Sequence, residues 1–472
     1  MTNYFSNKKT IIIYGLGISG ISCAKYVANN LPNKLILSDD NIDNLHKIKK
    51  NLKNANQNIK YTEPENLEFD YNSLIICSPG IAIYDPAHPI LLTAKKKGAQ
   101  IICDIELFFS LNKKQNYIAI TGTNGKSTCS ALTYHILNEL NINCQIGGNI
   151  GIPIFDLTQD KNQNINYILE ISSYQLDLIA NCKFNIAAIT NIDFDHIERY
   201  KNIENYTKSK KQIFNHQASN DYAIFNIDNK ISNNLYQDFI NKNNQNILAI
   251  SNNKVTNDAI SLVNNNIHVK YKSHDLSFAI NSKYLIGKHN TENILLSFSV
   301  VFCYLLQQNI AINIAMPKII TAINNFKGLK HRLEYIGNIN NIKFYNDSKA
   351  TNAQSTKCAL ESLDNIYWIV GGKEKGDDLL LLKPFFHKVK KAYLIGSSAN
   401  KFSSIFKQNG VKYILCNILE TATKKALFDA KNDSLSQNTI LLSPACASFD
   451  QWQNFEQRGN AFCKIFNDLS KN

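Results

Sequence analysis

The chain has 472 residues, and at roughly 150 residues per domain this length predicts about three domains. Hydrophobic residues make up 44% and charged residues 19% of the sequence, a balance typical of folded proteins that excludes bulk disorder. The formal net charge of +13 raises the question of a nucleic-acid surface. Because the lysines are spread along the chain and form no basic block, we expect no nucleic-acid partner.

The cysteines and the apolar runs indicate in which cellular compartment the protein is found. Eleven cysteines lie between Cys23 and Cys463 without a Cys-x-x-Cys pair. We therefore expect neither a disulfide framework nor a zinc site, and we expect a cytoplasmic location. The longest apolar stretch, 294–306, is too short to cross a bilayer and predicts a buried helix, so no membrane partner is expected. The apolar run after Lys8 and Lys9 is broken by glycines and indicates a strand and a turn, not a signal peptide.

The order of elements predicts an α/β protein with three domains. Short apolar runs alternate with polar helical stretches up to about residue 104, the rhythm of βαβ units. A polar stretch at 112–116 precedes a new strand and a second glycine-rich loop, and a third set of strands follows Gly328. The predicted domains are a Rossmann-like N-terminal domain at 1–104, a central P-loop ATPase-type domain at 105–328 and a C-terminal Rossmann-like domain at 329–472.

Individual elements follow from the apolar runs. A helix is expected at 129–140, after the second glycine-rich loop. The Asn-rich stretch at 229–266 has weak periodicity and predicts long loops. The predicted strands are 10–14, 34–37, 73–77, 100–103, 117–120, 167–169, 186–190, 342–345, 366–370, 392–395 and 439–442.

The strongest chemical signal is the glycine-rich loop between the strand at 117–120 and the helix at 129–140. Glycines let backbone N–H groups surround a phosphate, Lys126 supplies a mobile charge, and a Ser or Thr hydroxyl can reach Mg²⁺. Ile120 stands where the usual P-loop has its first glycine, so the loop is a variant. The alternative is a turn that merely contains small residues. The predicted phosphate-binding residues are Gly122, Thr123, Asn124, Gly125, Lys126, Ser127 and Thr128.

A second glycine loop follows the first strand. Residues 15–20 read Gly-Leu-Gly-Ile-Ser-Gly, and Asp39 follows Gly20 by 19 residues at the end of the next strand. This spacing is a dinucleotide fingerprint, with the acid placed for a ribose hydroxyl. The same geometry fits the diphosphate of a UDP-linked substrate, and a third interpretation is that the glycines serve only close helix–strand packing.

Polar side chains follow two strands of the central segment. Glu170 ends one strand, and the stretch 191–196, Asn-Ile-Asp-Phe-Asp-His, follows the next. Each alone suits a helix cap or a loop, but their recurrence favours a metal site at the mouth of the phosphate loop. Lys208, Lys210 and Lys211 form a basic cluster that indicates a solvated helix face.

Two further motifs follow strands of the last segment. The stretches 346–352 and 443–450 combine small, hydroxyl and charged residues, as expected where a polar ligand is held. Both also suit ordinary α/β loops. Cys446 has no motif that pairs it with a base, so we expect a buried packing thiol.

Taken in order, these motifs resemble the Mur ligase family. The likeness runs from Gly15 to Phe462, and the stretch 443–459 is similar to the members that add D-glutamate. The motifs that carry it are Gly-Thr-Asn-Gly-Lys-Ser-Thr at 122–128, Gly-Gly-Asn-Ile-Gly at 147–151, Glu-x-Ser-Ser-x-Gln at 170–175, Asp195-His196, His289-Asn290-x-x-Asn293, His331-Arg332, Asp347-Ser348-Lys349 and Phe-Glu-Gln-Arg-Gly at 455–459.

The resemblance implies an ATP-dependent ligase of peptidoglycan precursor synthesis, and hence of cell-wall biogenesis, cell shape and division. D-glutamate would be added to UDP-N-acetylmuramoyl-L-alanine through an acyl phosphate, with ATP and Mg²⁺ required. Separately from the resemblance, we expect a monomer. The alternatives are another Mur-type or folylpolyglutamate-type ligase and an NAD-dependent oxidoreductase. An ATP-driven nucleic-acid motor is a further rival, but no arginine-rich motor motif is present. The Asp-Asn-Pro-Arg motif of the diaminopimelate- and lysine-adding ligases is also absent from the sequence.

The resemblance also implies roles for single residues. Those along the UDP substrate would be Gly17, Ser19, Gly20, Asp39, Gly80 and Asn149. Besides residues 122–128, ATP would contact Asn290, Asn293, Arg332 and Asp347. The metal would be held by Ser127, Glu170, His196 and Lys210, the last as a carbamate because Tyr206-x-x-x-Lys210 aligns with the family's carbamylated lysine. D-glutamate would be held by Lys349, Thr351, Lys375, Ser448, Phe449 and Phe455. The catalytic residues would be Lys126, His196, Lys210 and Lys349.

Four positions depart from the family pattern. Lys373 stands where an acid is common, Asn41 where a basic residue is frequent, and Lys330 interrupts a Gly-Leu-Pro-His turn. Phe449 replaces a smaller apolar residue. None of the four removes a group that the mechanism requires.

Overall fold

Three sheets organise the part of the chain that the computed structural model describes, residues 10–52, 59–83, 87–160, 162–241, 245–374, 376, 378–433 and 437–471. The α/β class with three domains is confirmed. By contacts the chain forms two compact units, Met1–Ile280 with Glu292–Ile323 and Asn281–Thr291 with Asn324–Asn472. The first unit contains the N-terminal and central sheets and the second contains the third sheet. The domain boundaries given above stay predictions.

The N-terminal sheet has five parallel strands in the order β3-β2-β1-β4-β5. Apolar runs such as 11–13 are buried on both faces, as expected when helices cover both sides of a parallel sheet. The strands are β1 Thr10–Tyr14, β2 Lys34–Ser38, β3 Ile59–Tyr61, β4 Ser73–Cys77 and β5 Gln100–Ile102. The helices are α1 Ile18–Asn30, α2 Ile42–Asn51, α3 Pro89–Lys96 and α4 Asp104–Leu111.

The central sheet has nine strands in the order β14-β13-β12-β11-β10-β9-β6-β8-β7. Its strands are parallel except for the antiparallel pairs β12–β13 and β13–β14 at one edge. The strands are β6 Asn116–Thr121, β7 Cys144–Gly148, β8 Asn166–Glu170, β9 Ile186–Ile189, β10 Tyr222–Asn226, β11 Asn246–Ser251, β12 Ala259–Val263, β13 Asn266–Tyr271 and β14 His274–Ala279. The helices are α5 Lys126–Glu139, α6 Ser173–Leu176, α7 Ile197–Tyr200, α8 Ile203–Lys211, α9 Lys230–Ile240, α10 Lys288–Gln307 and α11 Ile312–Asn325.

The prediction of long loops at 229–266 is wrong. Most of this stretch is ordered as α9, β11 and β12. The Asn229 side chain caps α9 by accepting the Ser232 N–H, a role that Asn fills well. Leu248 and Ile260 are fully buried in β11 and β12, so tertiary packing outweighs the poor strand preference of the neighbouring asparagines.

The C-terminal sheet has the order β15-β16-β20-β17-β18-β19, with only the edge strand β15 antiparallel to its neighbour. Its strands are β15 Glu334–Ile339, β16 Ile342–Asn346, β17 Ile366–Gly371, β18 Val389–Ile395, β19 Tyr413–Asn417 and β20 Thr439–Leu442. The helices are α12 Ala353–Ser362, α13 Ala399–Gln408, α14 Leu419–Lys431 and α15 Phe455–Ser470. All the strands predicted from the sequence are present, most of them within a residue or two of the expected ends.

The stretch 294–306 lies inside α10 and is largely buried, as predicted. Among the helices of the described ranges, none is both long enough and apolar enough to cross a membrane.

Candidate active site

The loop between β6 and α5 has the backbone that a phosphate cradle needs. Gly125 caps α5 in the left-handed region at φ +84°, and Gly122 has φ +153°. A Cβ atom at Gly122 would collide with Thr190 Oγ1, and one at Gly125 would collide with Asn293 Oδ1. Glycine is therefore required at both positions, and the N-terminal N–H groups of α5 are directed into the loop.

Two lysine side chains converge on this loop. Lys126 Nζ donates to the carbonyl oxygens of Gly122 at 2.9 Å and Thr123 at 2.8 Å. Lys210 Nζ donates to the same Gly122 oxygen at 2.8 Å. Burial and, secondly, the charge of Lys126 hold the pKa of Lys210 well below its usual value. Lys210 can therefore lose its proton to give a neutral amine far more easily than an exposed lysine.

The prediction of a solvated helix face is wrong for Lys210. Its side chain is 1% exposed and its Nζ lies 4.5 Å from the centre of the Tyr206 ring, whereas Lys208 on the same helix is exposed. Tyr206, which is also buried, faces the phosphate loop with its hydroxyl 3.3 Å from Thr123 Oγ1. The helix α8 thus directs two of its side chains at the loop.

Glu170 is the last residue of β8 and pairs with Ile120 of β6, next to the phosphate loop. Its Oε1 accepts a hydrogen bond of 2.9 Å from Asn149 Nδ2. Its Oε2 is buried and has no hydrogen-bond partner among the described residues. Asn149, expected along the UDP substrate, therefore lies beside Glu170, directly after β7.

A divalent cation fits this position. An unpaired buried carboxylate oxygen is a hard ligand, and Mg²⁺ is usually held by one or two carboxylates together with waters and phosphates. Within the described ranges, no three or more His, Cys, Asp or Glu side chains cluster into a metal cage. The unpaired Glu170 oxygen is therefore available to a cation that has waters and phosphates among its other ligands.

His196 lies against tyrosine side chains near the phosphate loop. It has a left-handed backbone at φ +53° and directly precedes α7. Its ring contacts Tyr174 at a centroid distance of 4.9 Å and Tyr206 at 6.0 Å. Its Nε2 lies 3.6 Å from Asp195 Oδ2. The contact with Tyr206 places His196 next to the phosphate loop and Lys210.

The first glycine loop is closed by Asp39. One carboxylate oxygen accepts the Leu16 N–H, and the other accepts the Asn41 N–H at 2.7 Å and Asn44 Nδ2 at 3.2 Å. A Cβ atom at Gly20 would collide with the Gly15 carbonyl. Asp39 thus shapes the loop itself, and Gly20 has a packing role.

Other positions of this loop face open space. A Cβ atom at Gly17 or Gly80 would meet nothing within 4 Å, and Ser19 is half-buried at the start of α1. These three residues leave room for a ligand at the carboxyl ends of β1 and β4. That edge is the point where the strand order reverses, the usual ligand position on an open parallel sheet.

Sequence reasoning missed a polar network at the same edge. Tyr14 ends β1 and its hydroxyl donates to Asp40 Oδ1 at 2.6 Å. Both ring nitrogens of His88 lie within 3.4 Å of that hydroxyl. Asp40 follows Asp39 at the end of β2. This pair of acidic residues after a strand is the sequence feature from which the network could have been predicted.

Arg199 and Glu106, neither of which was singled out from the sequence, join the N-terminal and central sheets. Arg199, in α7, donates to the carbonyl oxygens of Pro79 at 3.1 Å and Ile81 at 3.4 Å. The fully buried Glu106 accepts backbone N–H groups from three consecutive residues, 180 to 182. Arg199 therefore ties the loop of Gly80 to the segment that follows His196.

In the second unit, the predicted residues gather at the carboxyl ends of β16 and β20. Asp347 accepts the Leu333 N–H at 3.0 Å and the Ser443 hydroxyl at 2.7 Å. Burial raises the pKa of Asp347 to about 7. Lys349 follows two residues later, and its Nζ lies 5.3 Å from the centre of the Phe455 ring.

The remaining predicted amino-acid contacts differ in exposure. Ser448 is 1% exposed, and its hydroxyl has no partner among the described residues. Phe449 is 63% exposed, so its ring is not packed into the domain. Thr351 is half-buried, and its N–H donates to the Lys349 carbonyl at 2.9 Å. Lys375 lies outside the described residues.

The structure also describes the three remaining predicted ATP contacts. Asn293 lies beside Gly125 and accepts a bond from the Cys129 thiol at 3.3 Å. Asn290, in the second unit, donates to the Ile286 carbonyl at 2.8 Å, and Arg332 lies there near Asp347.

Cys446 is the buried thiol that was expected, and burial raises its pKa to about 11.

Known proteins match the chain along nearly its whole length. Family models match in order: the MurD-like N-terminal domain of Mur ligases over residues 9–103, the Mur ligase middle domain over 120–301 and the Mur ligase glutamate ligase domain over 331–446. A UDP-N-acetylmuramoylalanine--D-glutamate ligase from Rickettsia bellii is 37% identical over 463 residues, 98% of each chain. One of the same name from Rickettsia prowazekii is 38% identical over 459 residues, 97% of this chain and 98% of that one.

The chain belongs to the Mur ligase family. Mur ligases are ATP-dependent amide-forming enzymes, so the predicted enzyme class stands over the oxidoreductase and the nucleic-acid motor.

Solved Mur ligase structures share the fold. A UDP-N-acetylmuramate-alanine ligase from Thermotoga maritima has a TM-score of 0.55 at 16% identity, covering 98% of this chain and 99% of its own. A MurF structure from Acinetobacter baumannii has a TM-score of 0.56 at 15% identity, covering 82% of this chain and 88% of its own. At such identities the likeness concerns the fold alone.

Proposed function

We propose that this Mur ligase joins D-glutamate to UDP-N-acetylmuramoyl-L-alanine in an ATP-dependent step of peptidoglycan precursor synthesis. The observation that carries the proposal is the 37% identity, across 98% of both chains, to a relative named for that reaction. Side-chain geometry supports it, because a phosphate loop and a separate set of carboxylate-binding candidates are both present.

The first step activates the carboxylate of the L-alanyl substrate. One carboxylate oxygen attacks the γ-phosphorus of ATP, the bond from that phosphorus to the bridging oxygen breaks, and ADP leaves with an acyl phosphate formed. Lys126 and the backbone N–H groups of residues 122–128 hold the phosphates and offset the charge that builds up on them. Asn293, Asn290, Arg332 and Asp347 are the proposed contacts to the rest of ATP.

The unpaired oxygen of Glu170, the Ser127 hydroxyl and the His196 ring would hold Mg²⁺. When bound, Mg²⁺ supplies neutralising charge to the phosphate oxygens. The neutral amine of Lys210 would add CO₂ with loss of one proton, giving a carbamate whose two oxygens offer a further anionic ligand. The lowered pKa of Lys210 favours this modification, because only the unprotonated amine reacts.

The second step forms the amide. The amine of D-glutamate attacks the acyl carbon, a tetrahedral intermediate forms, and phosphate leaves as the amine loses its proton. Lys349, Thr351, Lys375 and Ser448 would hold the two carboxylates, with Phe455 beneath the Lys349 ammonium group and Phe449 at the rim.

The UDP part would lie along Gly17, Ser19, Gly20, Asp39 and Gly80, with Asn149 near the reacting end beside Glu170. All eleven cysteines are free thiols, which suits a reducing compartment, and we place the reaction in the cytoplasm. A monomer remains our expectation.

A single assay tests the proposal. Purified protein is supplied with ATP, Mg²⁺ and UDP-N-acetylmuramoyl-L-alanine, and phosphate release is followed with a panel of amino acids. We expect release with D-glutamate that depends on both substrates. Release with L-lysine or meso-diaminopimelate, and none with D-glutamate, would reject the proposal within the same family.

A further inference from the structure

Arg458, in the first turn of α15, is fully buried. Its Nε donates to Ser348 Oγ at 3.0 Å, and its Nη2 donates to the carbonyl oxygens of Ser348 at 2.8 Å and Cys446 at 3.1 Å. All three acceptors are uncharged, and no carboxylate within the described residues forms an ion pair with this guanidinium. A buried cation held in this way requires an explanation other than an ion pair.

Stability alone does not explain this arginine. Burial lowers the pKa of Arg458 to about 10, so the side chain stays charged near neutral pH. Removing a charge from water is costly, and buried charges can often be replaced by apolar residues without loss of stability. One nitrogen, Nη1, is buried without a partner in the described structure, which adds to that cost.

The hydrogen bonds of Arg458 join two loops that have separate origins in the chain. Ser348 follows β16, whereas Cys446 follows β20. The next residue after Ser348 is Lys349, and Ser448 lies two residues beyond Cys446. These are two of the proposed D-glutamate contacts, one from each loop.

The start of α15 belongs to the same arrangement. Ser348 Oγ donates to the Phe455 carbonyl at 2.8 Å, and the Phe455 ring lies 5.3 Å from Lys349 Nζ. A planar guanidinium can hold several oxygens in a fixed relation, which a lysine ammonium cannot reproduce.

We infer that Arg458 is a positioning residue for amino-acid binding: it fixes the loops of Lys349 and Ser448 at the spacing that the two carboxylates of the incoming amino acid require. This inference rests on the proposed function, which places the amino acid at these loops. It assigns Arg458 no contact with the substrate.

Arg458→Lys tests the inference, because it keeps a basic side chain and removes the planar fork. We expect the KM for D-glutamate to rise about tenfold or more, the scale for losing a hydrogen bond from a charged group, while the KM for ATP changes less than about twofold. The matched control is Phe462→Leu on the same helix, which disturbs the buried contact with Phe344 but neither loop. It should lower the thermal stability and leave the KM for D-glutamate within about twofold.

Ser348→Ala provides a second measurement if Arg458→Lys folds poorly. It removes the hydroxyl that accepts from Nε, and the KM for D-glutamate should rise in the same direction. An unchanged amino-acid KM in Arg458→Lys, an equal rise in the KM for ATP, or an equal effect of Phe462→Leu would overturn the inference. If the wild-type protein uses another amino acid, the proposed function fails, and the KM for that amino acid tests Arg458 instead.

Discussion

Lys210 Nζ donates a hydrogen bond of 2.8 Å to the Gly122 carbonyl oxygen, the same atom that accepts from Lys126. Burial holds the pKa of Lys210 well below its usual value, and repulsion from the nearby ammonium group of Lys126 lowers it further. A carbamate at Lys210 would replace this repulsion by attraction, since it carries a negative charge.

Lys210→Ala is therefore expected to be nearly inactive, with partial rescue by small carboxylates such as formate or acetate. Lys210→Arg keeps the positive charge but cannot be carbamylated, so it should be inactive as well. Lys208→Ala removes an exposed charge from the same helix and should retain wild-type activity. Phosphate release measures all three, and a carbonyl signal from ¹³CO₂ should appear only in proteins that keep Lys210. Full activity of Lys210→Ala would exclude the carbamate.

Lys126→Ala removes the cation that belongs to the phosphate loop itself. We expect the rate to fall by a few orders of magnitude, or ~3–5 kcal/mol of transition-state stabilisation. Lys113→Ala, at an exposed position before β6, is the control for loss of one positive charge. More than a tenth of wild-type activity in Lys126→Ala would contradict the role given to this loop.

The phosphate loop could be found from the sequence because its signal is local. The strand, the glycines and Lys126 are contiguous, so spacing alone predicts their geometry. Lys210 and Arg458 could not be found in this way, because their burial depends on segments far away in the chain. Nothing in the basic cluster at 208–211 distinguishes the one side chain that is 1% exposed.

Asp39 is a second example of what a sequence motif does and does not predict. The fingerprint predicted its position at the end of β2, and the structure agrees. The motif also suggested an acid placed for a ribose hydroxyl, which stays a prediction; in addition, both of its oxygens accept hydrogen bonds from the first glycine loop and the start of α2. Such contacts depend on the fold of the loop and have no counterpart in the residue spacing.

Ligand protection distinguishes a UDP site from an NAD site at the first glycine loop. Gly17 and Gly80 face open space, and the acyl substrate needs an anchor outside the phosphate loop. UDP-N-acetylmuramoyl-L-alanine should slow hydrogen exchange of the amides in 15–20, whereas NAD should not. The turn at 264–265, between β12 and β13, provides a control that neither ligand should protect. Protection by NAD alone would contradict the assignment.

The buried carboxyl group of Asp104 should make the stability of the protein depend on pH. It lies in the first turn of α4, is 5% exposed, and burial raises its pKa from 3.8 to about 6. A carboxyl group with a raised pKa favours the folded state when protonated, so its stabilising contribution is complete below about pH 4 and is lost as the pH rises through about 6. The shift corresponds to roughly 3 kcal/mol.

Asp104→Asn should therefore flatten the dependence of the unfolding free energy between about pH 4 and 7 and raise stability at pH 8. Urea unfolding at several pH values, followed by circular dichroism, measures this. Asp238→Asn removes an exposed carboxylate from α9 and serves as the charge-matched control. If both variants show the wild-type pH profile, Asp104 does not titrate in this range.

The choice of amino acid is the sharpest test of the second unit. D-glutamate brings two carboxylates, and Lys349, Lys375, Thr351 and Ser448 offer two cations and two hydroxyl groups. Leaving one of these charges unpaired in a closed site costs ~1–3 kcal/mol or more. D-glutamate should therefore be preferred over D-glutamine and D-alanine by about tenfold to a hundredfold in kcat/KM. L-glutamate carries the same charges but directs its amine away from the acyl phosphate, so it should fail in rate.

Variants of Ser448 and Phe449 test which side chains of the site determine this amino-acid preference. The Ser448 hydroxyl is buried without a partner in the described structure, so Ser448→Ala should lower the preference for D-glutamate over D-alanine several-fold. Phe449 is 63% exposed, so its larger ring should not narrow the pocket, and Phe449→Leu should change kcat/KM less than about threefold. Initial rates with each amino acid at fixed ATP and UDP substrate give the ratios. Comparable kcat/KM for D-glutamate and for meso-diaminopimelate or L-lysine would place the enzyme elsewhere among the Mur ligases. The side chain of L-lysine ends in an amine and has no carboxylate, and that of meso-diaminopimelate carries an amine beside its carboxylate.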